Sequence, residues 1–199
     1  VSIHIGNSSS TTDENGIFII KEANVHENFA YITASKSGYI NGSRALVPTE
    51  GTNELSIMLL EKNTTATVNS GSAETVSLAN GAAVDLAGNY QDSEGNDYSG
   101  SVKVSMHHLN PYDEDMFNQM PGMLYAANTE NEERMLQTFG MLAVELEGAN
   151  GESLNLAEGS TATIHVPLSA ELLAQAPATI PLWHFDEEKG YWVEDGEAT

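Results

Sequence analysis

Oxygen-bearing side chains at Asp92, Glu94 and Asn96 in "DSEGNDYSG" recur at every second residue, the 1, 3, 5 spacing with which a calcium loop presents its ligands. Much of that loop's grammar is absent. Asp97 stands sixth, where an EF-hand turns on Gly, and Lys103 stands twelfth, where a bidentate Glu closes the shell. A second acidic stretch, "YDEDMFN", adds Asp113, Glu114 and Asp115. Acidic turns of this kind are also ordinary connections between strands. A hard cation wants about six to eight oxygens from several segments, so the case for calcium strengthens if the two loops converge. Asp92, Glu94, Asn96, Asp113 and Asp115 are therefore the candidate ligands, and no other cofactor is expected.

Both tryptophans lie in "IPLWHFDEEKGYWVEDG", residues 180–196, on either side of an acidic turn. If Glu187–Gly190 form a four-residue loop with Gly190 left-handed, Asp186 faces Tyr191 and Phe185 faces Trp192. Alternation then puts Trp183, Phe185 and Trp192 on one face and Leu182, His184, Tyr191 and Val193 on the other. A slip of one residue separates the tryptophans. Trp183, Tyr191 and Trp192 are the candidate ligand platform. Core packing is the favoured alternative, because large aromatics dominate burial in small β domains.

The remaining motifs carry less. His107 and His108 are neighbours, which on a strand point to opposite faces and cannot chelate one ion without a bulge. His165 and His184 meet only if their strands are brought together. No G-x-S-x-G elbow, P-loop or G-x-G-x-x-G fingerprint occurs. Cysteine chemistry is excluded because the chain has no Cys. No catalytic residues are assigned, and a non-enzyme is expected. "MFNQMPGMLYAANTENEERM" gathers four of the 7 methionines and is expected to pack over an open edge of a sheet.

The chain has 199 residues, of which 40% are hydrophobic, enough for one large domain or two small ones. Twenty-nine acids against 7 bases give a net charge of −22, with the acids scattered and not gathered in a tail. Nucleic-acid binding rests on clustered Lys and Arg, so nucleic-acid partners are not expected, nor are anionic membranes. No apolar run approaches the roughly 20 residues of a membrane helix. The opening "VSIHIG" reads as the inside of a strand, as in a fragment of something longer. Asn-x-Ser/Thr sequons begin at Asn7, Asn41 and Asn63.

The elements that would position these groups are strands. Residues 1–62 read as "VSIHI", "GIFII", "FAYITASK" and "ELSIMLLE" between turn clusters such as "TTDENG". In "YITASKSGY", Tyr31, Thr33 and Ser35 alternate with Ile32 and Ala34, the pattern of a strand with one wet side. "NTTATVNSGSAE", residues 63–74, reads as a polar linker or crossing strand. Beyond it come "ETVSLANGAAVDL", "GSVKVSMHHL", "GMLAVELEG", "ATIHVPL", "IPLWHF" and "GYWVE", with a tight turn at Asn150-Gly151 and one helical turn after Ser169.

On Thr12, Asp13, Gly16, Phe18, Ala34, Lys36, Gly38 and Tyr39, the first third resembles the carboxypeptidase regulatory-like domain, a small transthyretin-like β-sandwich. On "VSLANGAAVDLAGNY" through "PLWHFDEEKGYWVEDG", the remainder resembles a β-sandwich segment of cartilage intermediate layer protein and related bacterial surface proteins. In distant relatives of that segment a His-Phe-Ser sequence cleaves its own backbone. Here His184-Phe185 is followed by Asp186, so that activity is not carried over.

The expectation is an all-β protein of two β-sandwich domains, 1–62 small and transthyretin-like and 75–199 larger with one short helix, joined by a linker at 63–74. The resemblance implies a non-catalytic binding or scaffolding module of a bacterial surface or secreted protein, extracytoplasmic, contacting protein or carbohydrate. The alternative is a pair of accessory domains of a secreted hydrolase whose catalytic domain lies elsewhere.

Overall fold

A computed structural model describes the whole chain, residues 1–199. It is all-β: 44% of the residues are in strands, and helix is confined to two four-residue turns. In chain order the elements are β1 (Ser2–Ile5), β2 (Ser8–Thr11), β3 (Ala30–Ser35), β4 (Gly42–Leu46), β5 (Thr64–Asn69), β6 (Glu74–Ser77), β7 (Ala83–Leu86), β8 (Tyr90–Asp92), β9 (Asp97–Tyr98) and β10 (Ser101–Leu109). There follow α1 (Met116–Gln119), β11 (Tyr125–Ala127), β12 (Glu133–Met135), β13 (Met141–Gly148), β14 (Ser153–Leu156), β15 (Ala162–His165), α2 (Ala170–Leu173), β16 (Ile180–Asp186) and β17 (Tyr191–Ala198).

Two compact units interleave along the sequence. The first holds Val1–Glu61, Pro111–Phe139 and Ala170–Thr199; the second holds Lys62–Asn110 and Gly140–Ser169. The serial division expected from sequence gives way to this arrangement because β11 runs parallel to β17, with Ala126 opposite Trp192, while Phe29 and Tyr31 stack on Tyr125, Tyr191 and Phe185. Those contacts draw residues 111–139 and 170–199 to the N-terminal strands.

Of the two readings of residues 63–74, linker or crossing strand, the structure has the strand. They contain β5, whose Val68 lies opposite Val102 and is 2% exposed. Ala66 and Val68 alternate with polar neighbours, and the small alanine hid the period-2 pattern in a Thr-rich run.

In the first unit one sheet has the order β2-β1-β3-β4 and another the order β12-β11-β17-β16. Ile3, Ala30, Ile32 and Ala34 form the buried face of β1 and β3, covered by Phe18, Ile20, Leu46, Leu55, Ile57 and Leu59. The opposite face carries His4, Phe29, Tyr31 and Thr33. Helix α1 follows Asp115 and stops where Met120 turns extended ahead of Pro121, as a residue before proline must.

In the second unit the sheets run β5-β10-β13-β14-β8-β9 and β15-β7-β6. Val76, Val84 and Leu86 of the smaller sheet share one core with Val68, Tyr90, Val102, Val104, Met106, Leu146 and Leu154 of the larger. Burying a side chain of this size contributes about 1.5–3 kcal/mol relative to leaving it exposed. A bulge between Val104 and Ser105 rotates β10, so that Val104, Ser105 and Met106 are all buried in succession.

Candidate functional site

The acidic loop at Asp92 is a turn first. Asp92 N–H donates to Asn96 O at 2.9 Å, Gly95 N–H to Asp92 O at 3.1 Å, and Gly95 is left-handed at φ 83°. The Asp92 carboxylate accepts the backbone N–H groups of Glu94 and Asn96, both at 2.9 Å, and the Asn96 amide donates to it as well.

The same five-residue loop recurs. At Asp13–Ile17 and Asn128–Glu132 the backbone bonds are repeated, the leading side chain again accepts two N–H groups, and Gly16 and Asn131 take the left-handed position. Leu78–Ala82 and Gly148–Glu152 keep the backbone pattern without the leading side chain, with Gly81 and Gly151 left-handed. Asn128 does with a neutral amide what Asp92 does with a carboxylate, so the role that the two share is capping of the turn. Asn96 presents its N–H₂, not its oxygen, to Asp92.

Asp113 and Asp115 belong to the first unit, whereas Asp92, Glu94 and Asn96 belong to the second. No three His, Asp or Glu side chains gather as a metal site anywhere in the chain.

Asp92 is held below the usual carboxylate range, chiefly by the Asn96 amide, and Asp186 likewise by the N–H of Lys189. Their folded values lie below their unfolded ones. The stability they contribute is therefore complete above the ordinary carboxylate range and is lost as pH falls through the lowered values. Asp92→Asn is expected to keep the neutral-pH Tm while losing part of this acid sensitivity, and Asp92→Ala to lower Tm at neutral pH. Calcium should raise neither. Thermal melts at pH 7 and pH 3, with EDTA and with calcium, check all three outcomes.

The tryptophan hairpin adopts the four-residue register. Asp186 lies opposite Tyr191, Phe185 opposite Trp192, and Gly190 has φ 77°. Asp186 fixes the loop by accepting the N–H groups of Glu188 and Lys189, at 3.0 and 2.9 Å, and pairs with the Lys189 ammonium at 3.0 Å. Trp192 is 8% exposed and meets Phe185 edge-to-face at 5.4 Å. Tyr191 is half-buried against Tyr125 and Phe29, and Trp183 is half-buried opposite Glu194. Core packing wins. Of the three residues proposed as a platform, Trp192 is interior and Tyr191 backs other rings.

The histidines do not assemble a catalytic set. His165 Nε2 lies 2.7 Å from Asp85, whose other carboxylate oxygen accepts the Thr75 hydroxyl at 2.6 Å. The carboxylate stands between imidazole and hydroxyl, the reverse of the order in which a histidine activates a nucleophile. His184 pairs with Asp195 at 3.3 Å on an exposed edge, in a different unit from His165. His107 and His108 follow one another on β10.

A concave surface with convergent polar groups lies on the first unit, over the outward face of β1 and β3. It is a cleft of about 580 Å³ lined by His4, Gly6, Asn24, Val25, His26, Phe29, Tyr31 and Thr33. His4 pairs across the ladder with Thr33, and alternation along β3 puts Phe29, Tyr31 and Thr33 on the same side. The 24–26 wall is held by a bridge between His26 and Phe29 and by the tight β1–β2 turn. In that turn Gly6 has φ 52°, and a Cβ there would stand 2.7 Å from the Asn24 carbonyl oxygen. Tyr31 is anchored from behind. Its ring rests on Gly190 and Phe185, its hydroxyl is hydrogen-bonded to Ser43, and burial raises its pKa.

Comparison of the chain with family models, with curated proteins and with solved structures returned no match. The cleft therefore has to be read from its own chemistry. Two aromatic faces, two imidazoles, an amide and a hydroxyl suit a ligand with one apolar face and a rim of hydrogen-bonding groups. Sequence reasoning reached the wet face of β3 through Tyr31 and Thr33 but missed His4, Asn24, His26 and Phe29. Only the β1–β3 pairing and the return at Asn24–His26 bring these onto that face.

Proposed function

We propose that this chain is a non-catalytic, extracytoplasmic binding or scaffolding module of a bacterial surface or secreted protein. In this reading it is built as two β-sandwiches, the first of the regulatory-like type, and contacts saccharide through the cleft on β1 and β3. The observation that carries it is the cleft itself: Phe29 and Tyr31 line it with aromatic surface that suits the C–H side of a sugar, and His4, Asn24, His26 and Thr33 line it with groups that suit its hydroxyls. A net charge of −22 speaks for neutral or cationic partners over nucleic acid and anionic lipid. Accessory service to a secreted hydrolase would use the same cleft.

The test is a screen of neutral oligosaccharides followed by calorimetry. Binding is expected to fall at least tenfold, about 1.4 kcal/mol, in Asn24→Ala and His26→Ala, whose parent residues are exposed. Trp183→Ala should bind as the parent does, and the sugar should be recovered intact. Binding unaffected by both cleft variants, or cleavage of the sugar, overturns the reading.

A further inference from the structure

A second surface of the first unit presents backbone where a sheet would present a neighbour. Residues 17–21, "IFIIK", alternate exposed and half-buried side chains with the period of a strand, yet beyond the Ile17 bonds to Asp13 no backbone hydrogen bond is made by Phe18, Ile19, Ile20 or Lys21. Glu54, Leu55, Ser56 and Ile57 show the same alternation and likewise make no ladder bonds. Both runs pack apolar side chains, Phe18 and Ile20 from one and Leu55 and Ile57 from the other, on the core of Ile3, Ala30, Ile32 and Ala34. They behave as strands of a layer that lacks its partners. The outward side chains of the first run are apolar as well, Ile17 at 60% and Ile19 at 72% exposure. Unpaired apolar backbone of this kind is a template for another strand.

From these observations we infer that the edge at Phe18–Lys21 is a docking site for an extended, cationic peptide segment added as a further β-strand. Main-chain hydrogen bonds supply the attachment, and alternate side chains of the incoming strand pair with Phe18 and Ile20 on one face and Ile17 and Ile19 on the other. Charge selects the occupant. Asp13, Glu14 and Glu22 flank the edge against Lys21 alone, within a chain of net charge −22, so lysine or arginine beside the apolar positions is drawn in and a second copy of this chain is repelled. The site is separate from the cleft and does not depend on what the cleft binds.

The probe is a seven-residue peptide of alternating lysine and valine, added to the full chain and followed by amide hydrogen exchange and calorimetry. Expected are slowed exchange at residues 18–21 and binding that weakens at least tenfold when the peptide backbone is N-methylated, when its lysines are exchanged for glutamate, and in Ile19→Pro. Ile19 is exposed and its N–H is unbonded, so that variant retains the fold; Ile19→Asp, read by the same binding assay, covers the case in which it does not. Unchanged exchange at 18–21, equal binding of the N-methylated peptide, or sedimentation showing self-association through this edge in place of peptide binding overturns the proposal.

Discussion

Gly190→Val is expected to lower the stability of the first unit by about 2–5 kcal/mol, more than any other substitution in the β16–β17 hairpin loop. Two costs add. A side chain at φ 77° gives up roughly 1–2 kcal/mol to the left-handed conformation. A Cβ at that position would also stand 2.6 Å from the Tyr31 ring, and forcing such an overlap typically costs about 1–3 kcal/mol more. The costs can be separated, because Gly190→Ala made in a Tyr31→Ala background keeps the first and loses most of the second. Denaturant unfolding followed by tryptophan fluorescence reads the result cleanly, since both tryptophans belong to the first unit. A loss under about 0.5 kcal/mol for Gly190→Val would mean that Tyr31 does not rest on this turn.

Trp192→Ala should cost about 3–5 kcal/mol, the range for removing a large buried aromatic. Trp192 has Phe185 at its edge, and its strand mate Ala126, fully buried, lies opposite on β11. Trp183→Ala, at a half-buried position, should cost less than half as much. Trp192→Phe keeps a ring against Phe185 and removes an indole N–H that has no hydrogen-bond partner, so it should fall between the two. The same variants resolve the emission spectrum: the blue component should vanish with Trp192 and persist without Trp183. Equal losses from the two alanine variants would contradict the placement of Trp192 in the interior.

The hairpin was legible because its signals are local. Asp186 and Gly190 sit four apart, and that spacing alone fixes which of the flanking aromatics face one another. The spacing at Asp92 reads two ways for the same reason. A carboxylate that caps its own turn and a carboxylate that begins a calcium loop look alike in sequence, and the N–H groups converging on Asp92 show the capping role. The Asn128 loop offered the clue, because an amide there fills an equivalent place.

Long-range pairing was the part that the residues did not reveal. Nothing near Ala126 announces that β11 will lie parallel to β17, and this pairing is what interleaves the two units. Val68 was hidden by its neighbours: one valine and one small alanine among threonines and asparagines carry too little apolar contrast to distinguish a strand from a linker. The cleft was half legible. Alternation through Tyr31 and Thr33 was visible along β3, but His4 reaches that face only through the antiparallel register with Thr33.

The measurement that bears most directly on the saccharide-binding reading is amide chemical-shift mapping during titration with the tightest oligosaccharide from the screen. Saturable shifts confined to His4–Gly6, Asn24–His26 and Phe29–Thr33 are the expected result. Shifts centred instead on Trp183 and the outer face of β16, or on the Asp92 loop, would contradict it and move the binding surface elsewhere on the chain.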